Sequence, residues 1–171
     1  IAVYPLTTCV VSGKPLGATP ATFQIADRTF QTCSDQCKAA VEKDPATFVT
    51  KLDEALIAQQ LPTYPLETCP ITGLQLGSMG APTQLVIDGT LVQLCCRGCA
   101  AKAKAAGPTI VARIHDEAFA QQDKSYPLTT CAISGAAFPA DVAPVNVMLG
   151  TTLVKIASQH GTVAIAKAPA K

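Results

Sequence analysis

The chain writes one phrase three times. It reads YPLTTCVVSGKPLG from Tyr4, YPLETCPITGLQLG from Tyr64 and YPLTTCAISGAAFP from Tyr126, so the starts lie 60 and 62 residues apart. Self-similarity at that period limits a chain of 171 residues to a tandem array of small units. The array divides into residues 1–62, residues 63–124 and a shorter third repeat, 125–171, which carries the C-terminal tail. A unit of roughly 60 residues buries a modest core and usually needs a metal, a disulfide or a neighbour to lean on. The eight cysteines are the first candidates for that help.

Each repeat continues with a hairpin pattern. In the second, Gln84–Ile87 and Leu91–Leu94 flank Asp88-Gly89, a dipeptide suited to the positive φ angles of a tight turn. In the first, Thr22–Ile25 and Thr29–Thr32 flank Asp27-Arg28, a poorer turn. In the third, Val145–Met148 and Thr152–Ile156 flank Leu149-Gly150-Thr151. After the second strand come Cys33-Ser34-Asp35-Gln36-Cys37 and Cys95-Cys96-Arg97-Gly98-Cys99, both C-x3-C, followed by helix formers. That spacing predicts two thiols on one face of a helix start, where the dipole and free amides favour thiolate. A second helix is expected in each complete repeat. Asp44-Pro45 caps one over Ala46–Gln60, with Phe48, Leu52 and Leu56 on its apolar face. Gly107-Pro108 starts the other over Thr109–Gln122, with Val111, Ala118, Ile114 and Phe119 inward.

The complete repeats therefore carry C-x23-C-x3-C at Cys9, Cys33 and Cys37, and C-x25-C-x3-C at Cys69, Cys95 and Cys99. This pattern resembles the TRASH and YHS-like group of small treble-clef domains, over most of residues 4–122. The openings and the Cys95–Cys99 segment look like a YHS-like repeat of exported bacterial proteins. The resemblance implies an α+β fold of two tandem treble-clef-like modules, each a knuckle, a β-hairpin and two helices, plus a truncated β-rich third repeat. It also implies a thiolate-bound metal held by those six cysteines.

The residues themselves argue in the same direction. Three soft sulfur ligands suit zinc, or copper in its reduced state, far better than magnesium or calcium. A structural zinc wants a fourth ligand, and none is obvious: Cys96 is expected to point off the Cys95/Cys99 face, and the first repeat offers only Ser34 in its place, with Asp35 nearby. The competing readings are disulfides, disfavoured within a repeat by the odd thiol, and inert buried cysteines. Cys96, Cys131 and His160 remain candidates for an additional ligand or for disulfides between repeats.

In the third repeat Ala157–Gly161 stands where C-x3-C should be, with His160 within a residue of the second cysteine's place. A Cys131/His160 pair competes there with an ordinary exposed loop histidine. A repeat that keeps its hairpin and loses its thiols is expected to serve as a contact surface. Thr162–Ala166 alternates like a strand, and the Lys167–Lys171 tail is expected to be held by another chain. His115, placed at the Leu52 position of its helix, reads as a half-buried packing histidine. The Tyr-Pro-Leu openings read as an extended lead-in that packs its Tyr and Leu.

A net charge of +1 with interleaved signs argues against nucleic acid and anionic membranes. No run of about eighteen apolar residues is present. Ile1 at the first position, with the abundant Ala, Thr and Pro, points to a processed N-terminus and export to the periplasm or outside the cell. No Ser/His/Asp set, phosphate loop or C-x2-C redox motif is present, which reads as a non-enzyme. The leading expectation is an exported accessory or scaffold subunit that docks onto other protein subunits, at the extracytoplasmic face of a membrane complex. A zinc or copper storage or transfer protein is the alternative, and a thiol-redox protein the third reading.

Overall fold

A computed structural model describes residues 4–138, 140 and 143–157. Among these the fold is α+β, with four α-helices and three antiparallel two-stranded sheets. The first repeat holds β1 (Ala21–Ile25), β2 (Arg28–Thr32), α1 (Asp35–Lys43) and α2 (Pro45–Gln60). The second holds β3 (Thr83–Ile87), β4 (Thr90–Leu94), α3 (Ala100–Ala105) and α4 (Gly107–Asp123), and the third β5 (Val145–Leu149) and β6 (Thr152–Ile156). No described helix is long and apolar enough to cross a membrane.

Each repeated phrase folds into the same tight knuckle. The Cys9 N–H donates to the Lys14 carbonyl and the Gly13 N–H to the Cys9 carbonyl, both at 2.8 Å. Cys69 with Leu74 and Gly73, and Cys131 with Ala136 and Gly135, repeat these bonds at the same distance. The turn needs a left-handed residue, and Gly13, Gly73 and Gly135 supply it at φ of 68°, 74° and 70°. The leading tyrosines pack as expected, with Leu6 and Leu66 against the first two cores, but Leu128 of the third opening is 47% exposed. Tyr4 is buried, while the Tyr64 and Tyr126 hydroxyls accept from the Gln93 and Lys155 N–H groups at 3.1 and 2.9 Å.

Two of the three hairpin turns differ from the sequence reading by one residue. In the first repeat the turn is Ala26-Asp27, not Asp27-Arg28, with φ of 49° and 61°, and Arg28 pairs with Ile25 as the start of β2. In the third the turn contracts to Gly150-Thr151, because Leu149 pairs with Thr152. Asp88-Gly89 turns as expected, with φ of 48° and 73°. Ala26 has neither glycine's freedom nor a short polar side chain to ease the left-handed region, a penalty of about 1 kcal/mol or more. Replacing Ala26-Asp27 by Asp-Gly is therefore expected to raise stability by roughly 1 kcal/mol. An unchanged denaturation midpoint would contradict that account.

Each repeat builds its own small core. The first gathers Tyr4, Val10, Phe30, Val41 and Leu52; the second gathers Val92, Leu94, Ala103, Ile110 and Ile114 with Cys69, Cys95 and Cys99; the third gathers Val147 and Ile156 with Cys131 and Ala157. Ile114, not His115, takes the position of Leu52. His115 instead corresponds to Asp53, since the helix ends Gln60 and Gln122 occupy equivalent places 62 residues apart.

The repeats are joined helix to hairpin. Helix α2 packs on β3 and β4 of the next repeat, and α4 packs on β6. Gln60 seals the first joint: its Nε2 donates to the Gly89 carbonyl at 2.7 Å, and its Oε1 accepts from the Leu91 N–H at 2.8 Å. Gln122 makes the same pair with the Thr151 carbonyl and the Leu153 N–H, at 2.7 and 2.8 Å. Arg28, 8% exposed, pairs with Asp53 and donates to the Val86 carbonyl at 2.8 Å, tying the first hairpin to the second. The third repeat is thus a contact surface for the second, through α4 and a Lys155–Asp123 ion pair at 2.7 Å.

Candidate metal centre

Three chain segments converge in each complete repeat: the knuckle, the end of the second strand and the first turn of the following helix. Cys9, Cys33 and Cys37 form one group that can hold a metal ion, and Cys69, Cys95 and Cys99 form another, with all sulfurs in a group within 4.8 Å of one another. The first group runs from buried Cys9 to exposed Cys33, whereas all three members of the second are buried.

All eight cysteines are free. The Cys33–Cys37 and Cys95–Cys99 sulfurs are each 3.8 Å apart, far beyond a disulfide bond of about 2.05 Å. Zinc–sulfur bonds of about 2.3 Å in a tetrahedron place sulfurs about 3.8 Å apart. The donor set and its spacing therefore fit a tetrahedral thiophilic ion.

The C-x3-C thiols do not share a helix face. Cys33 and Cys95 end the β-hairpin, and only the second cysteine of each pair enters the helical turn, because an extended residue separates them. Ser34 and Cys96 occupy that position with nearly the same backbone, φ −159°, ψ 162° and φ −160°, ψ 166°. Their side chains do different things. The Ser34 hydroxyl accepts from the Cys37 N–H at 3.3 Å and caps α1. The Cys96 side chain makes no cap, and the chain enters α3 through a 3₁₀ turn over Arg97–Cys99. The Cys96 sulfur lies 4.0 Å from that of Cys95 and 3.9 Å from that of Cys99. Cys96 thus turns toward Cys95 and Cys99 rather than away from them as expected, while remaining outside the set of three sulfurs that all lie within 4.8 Å of one another. Asp35 and His115 belong to neither metal-capable group. His115 instead meets Thr90 Oγ1 through Nε2 at 3.1 Å, and burial holds its pKa below the ordinary value.

The knuckle cysteines are prepared to carry charge. Burial opposes the Cys9 thiolate, but hydrogen bonds from the Ser12 hydroxyl and the Ser12, Cys33 and Val11 amides outweigh it and bring its pKa down to about 6. Cys69 is treated alike: burial opposes, and the Cys95 amide with the Thr72 hydroxyl and amides of its own knuckle bring it to about 6. Burial and then the crowding of Cys95, Cys96 and Cys69 push Cys99 up to about 12. Thiolates this close ionise together only when a cation shares the site. Cys131 keeps the knuckle amides, and its sulfur accepts from the Ala157 N–H at 3.4 Å, but no metal-capable group forms around it among the described residues. His160 and the tail lie outside the described residues.

The hydroxyls three residues after the knuckle cysteine escaped the sequence reading. Ser12 and Thr72 lie 3.3 Å from the sulfurs of Cys33 and Cys95. Their signal was present, since Ser12, Thr72 and Ser134 are hydroxyl residues at one offset in all three repeats. No family model matches the chain, and neither a curated protein nor a solved structure matches it.

Proposed function

We infer that this is a non-catalytic metalloprotein whose two complete repeats each hold a thiophilic ion, with zinc the best fit. The observation that carries this reading is the pair of cysteine clusters, each with all its sulfurs within 4.8 Å of one another and one pair at 3.8 Å, the tetrahedral edge length for zinc, at knuckles whose amides stabilise thiolate. The knuckle, hairpin and cysteine-bearing turn also support the treble-clef resemblance. An accessory role toward other proteins, in an exported setting, is the wider proposal.

The test is elemental mass spectrometry of the native protein combined with thiol labelling. About two zinc ions per chain, with the cluster thiols labelled only after chelation, are expected. A metal-free protein whose thiols all label at once would overturn the reading.

A further inference from the structure

The two clusters are built from one pattern and differ in three respects. The first concerns ligand number. Beside the second cluster stands Cys96, whose sulfur is 4.0 and 3.9 Å from those of Cys95 and Cys99, although it is not one of the three sulfurs that all lie within 4.8 Å of one another. The first has Ser34 at that position, and its hydroxyl is committed to the Cys37 N–H at 3.3 Å. No other histidine, cysteine or carboxylate joins Cys9, Cys33 and Cys37 among the described residues.

The second difference is access. In the first site Cys9 is buried, Cys37 half-buried and Cys33 exposed, whereas in the second Cys69, Cys95 and Cys99 are buried and Cys96 is half-buried, so only the first has an exposed thiol. The third is coupling to the core. Cys69, Cys95 and Cys99 are members of the second repeat's hydrophobic cluster, with Cys96 packed against it. The core cluster of the first repeat is made by Tyr4, Val10, Phe30, Val41 and Leu52; Cys9, though 1% exposed, lies outside that cluster, as do Cys33 and Cys37.

Resting on the metal-binding reading above, we propose that the sites divide the work: Cys96, already beside Cys95 and Cys99, closes on the ion held by Cys69, Cys95 and Cys99 to make a four-thiolate structural site, while Cys9, Cys33 and Cys37 form an open exchange site. A metal site with three protein ligands keeps a position for an outside ligand, and one with four does not. The ligand class that fits the open position is a soft monodentate donor, a small thiol or a cysteine thiolate of another protein. The entering sulfur takes the open position, and Cys33, the exposed ligand, is the sulfur most free to leave. No change of oxidation state is required. The first repeat can release its ion and keep its apolar core, which makes exchange reversible.

The test begins with protein loaded with zinc and mixed with excess pyridylazoresorcinol, a chromophoric chelator. Release in two phases is expected, one ion leaving at least about tenfold faster, because even the loss of an outer-shell partner commonly weakens a metal site about 10–100-fold. Cys96→Ser should convert the slow phase to a fast one, and Ser34→Cys should slow the fast phase. Cobalt(II) supplies a second readout. With the second cluster filled with zinc and the first with cobalt, added 2-mercaptoethanol should shift the visible spectrum, and Ser34→Cys should abolish the shift.

Two ions released at one rate, or a fast phase that persists in Cys33→Ser and disappears in Cys69→Ser, would overturn the division while leaving metal binding intact. Failure to bind zinc at all would instead overturn the reading on which the division rests. If Cys96→Ser does not fold, Ser34→Cys and the cobalt spectrum decide the matter.

Discussion

A Cys99→Ser substitution is expected to remove one of the two ions per chain and to unfold the second repeat. Cys99 is 5% exposed, and its sulfur lies 3.8 Å from that of Cys95 and 3.9 Å from that of Cys96. It belongs to the same core cluster as Val92, Leu94, Ile110 and Ile114, so the site and the core are one object. A structural zinc contributes on the order of 10 kcal/mol to a small domain, as much as the whole stability of about 5–15 kcal/mol typical of a folded protein. Losing a ligand in that core therefore exceeds what the apolar packing can offset. Elemental analysis should show the stoichiometry fall by one, and hydrogen exchange should show amides of residues 83–123 losing protection. Cys33→Ser should lose an ion as well, yet leave the protection of β1, β2 and α2 largely in place. Native protection of 83–123 in Cys99→Ser would show that the second core stands without its ion.

Gln60→Leu is expected to cost roughly 2–6 kcal/mol, at a position with no thiol chemistry. The side chain is 4% exposed and satisfies the Gly89 carbonyl and the Leu91 N–H, while the Gln60 carbonyl accepts from Thr151 Oγ1 at 3.1 Å. Leucine is similar in size and offers neither donor nor acceptor, so two buried main-chain groups are left unpaired at about 1–3 kcal/mol each. Gly150 presses on the same side chain from the third repeat: a Cβ there would lie 2.2 Å from Gln60 Cδ, at a φ of +57°. Gly150→Ala should therefore destabilise too. Combined with Gln60→Ala, which vacates the space, it should cost less than the sum of the single changes. Denaturant titration of the zinc-loaded protein measures all of these. A Gln60→Leu cost below about 0.5 kcal/mol would mean water or a rearranged joint replaces its bonds.

Much of the local structure was legible because local chemistry specifies it. Asp88-Gly89 announces a tight turn, Asp44-Pro45 announces the start of α2, and alternation in Leu91–Leu94 announces a strand, each within a few adjacent residues. The misreadings came where neighbours carry no such signal. Ala26 has no preference for a left-handed turn, and only the pairing of Ile25 with Arg28 places it there. Helical spacing put the two C-x3-C thiols on one face, but one extended residue between them voids that arithmetic. His115 was misaligned because the repeats differ in length, and the register becomes visible only from the matched joints at Gln60 and Gln122.

The sequence by itself determined the threefold repeat, the α+β character, and which cysteines are candidates to meet, because these depend on periodicity, turn residues and spacing along the chain. Only the tertiary structure decided that Cys96 stands beside Cys95 and Cys99 while Ser34 caps a helix, and that each long helix closes against the next hairpin. Those outcomes rest on distances of a few ångströms between atoms far apart in sequence, as between Gln60 and Thr151, and on which way one side chain turns from a shared backbone. Neither is encoded in any short stretch of residues.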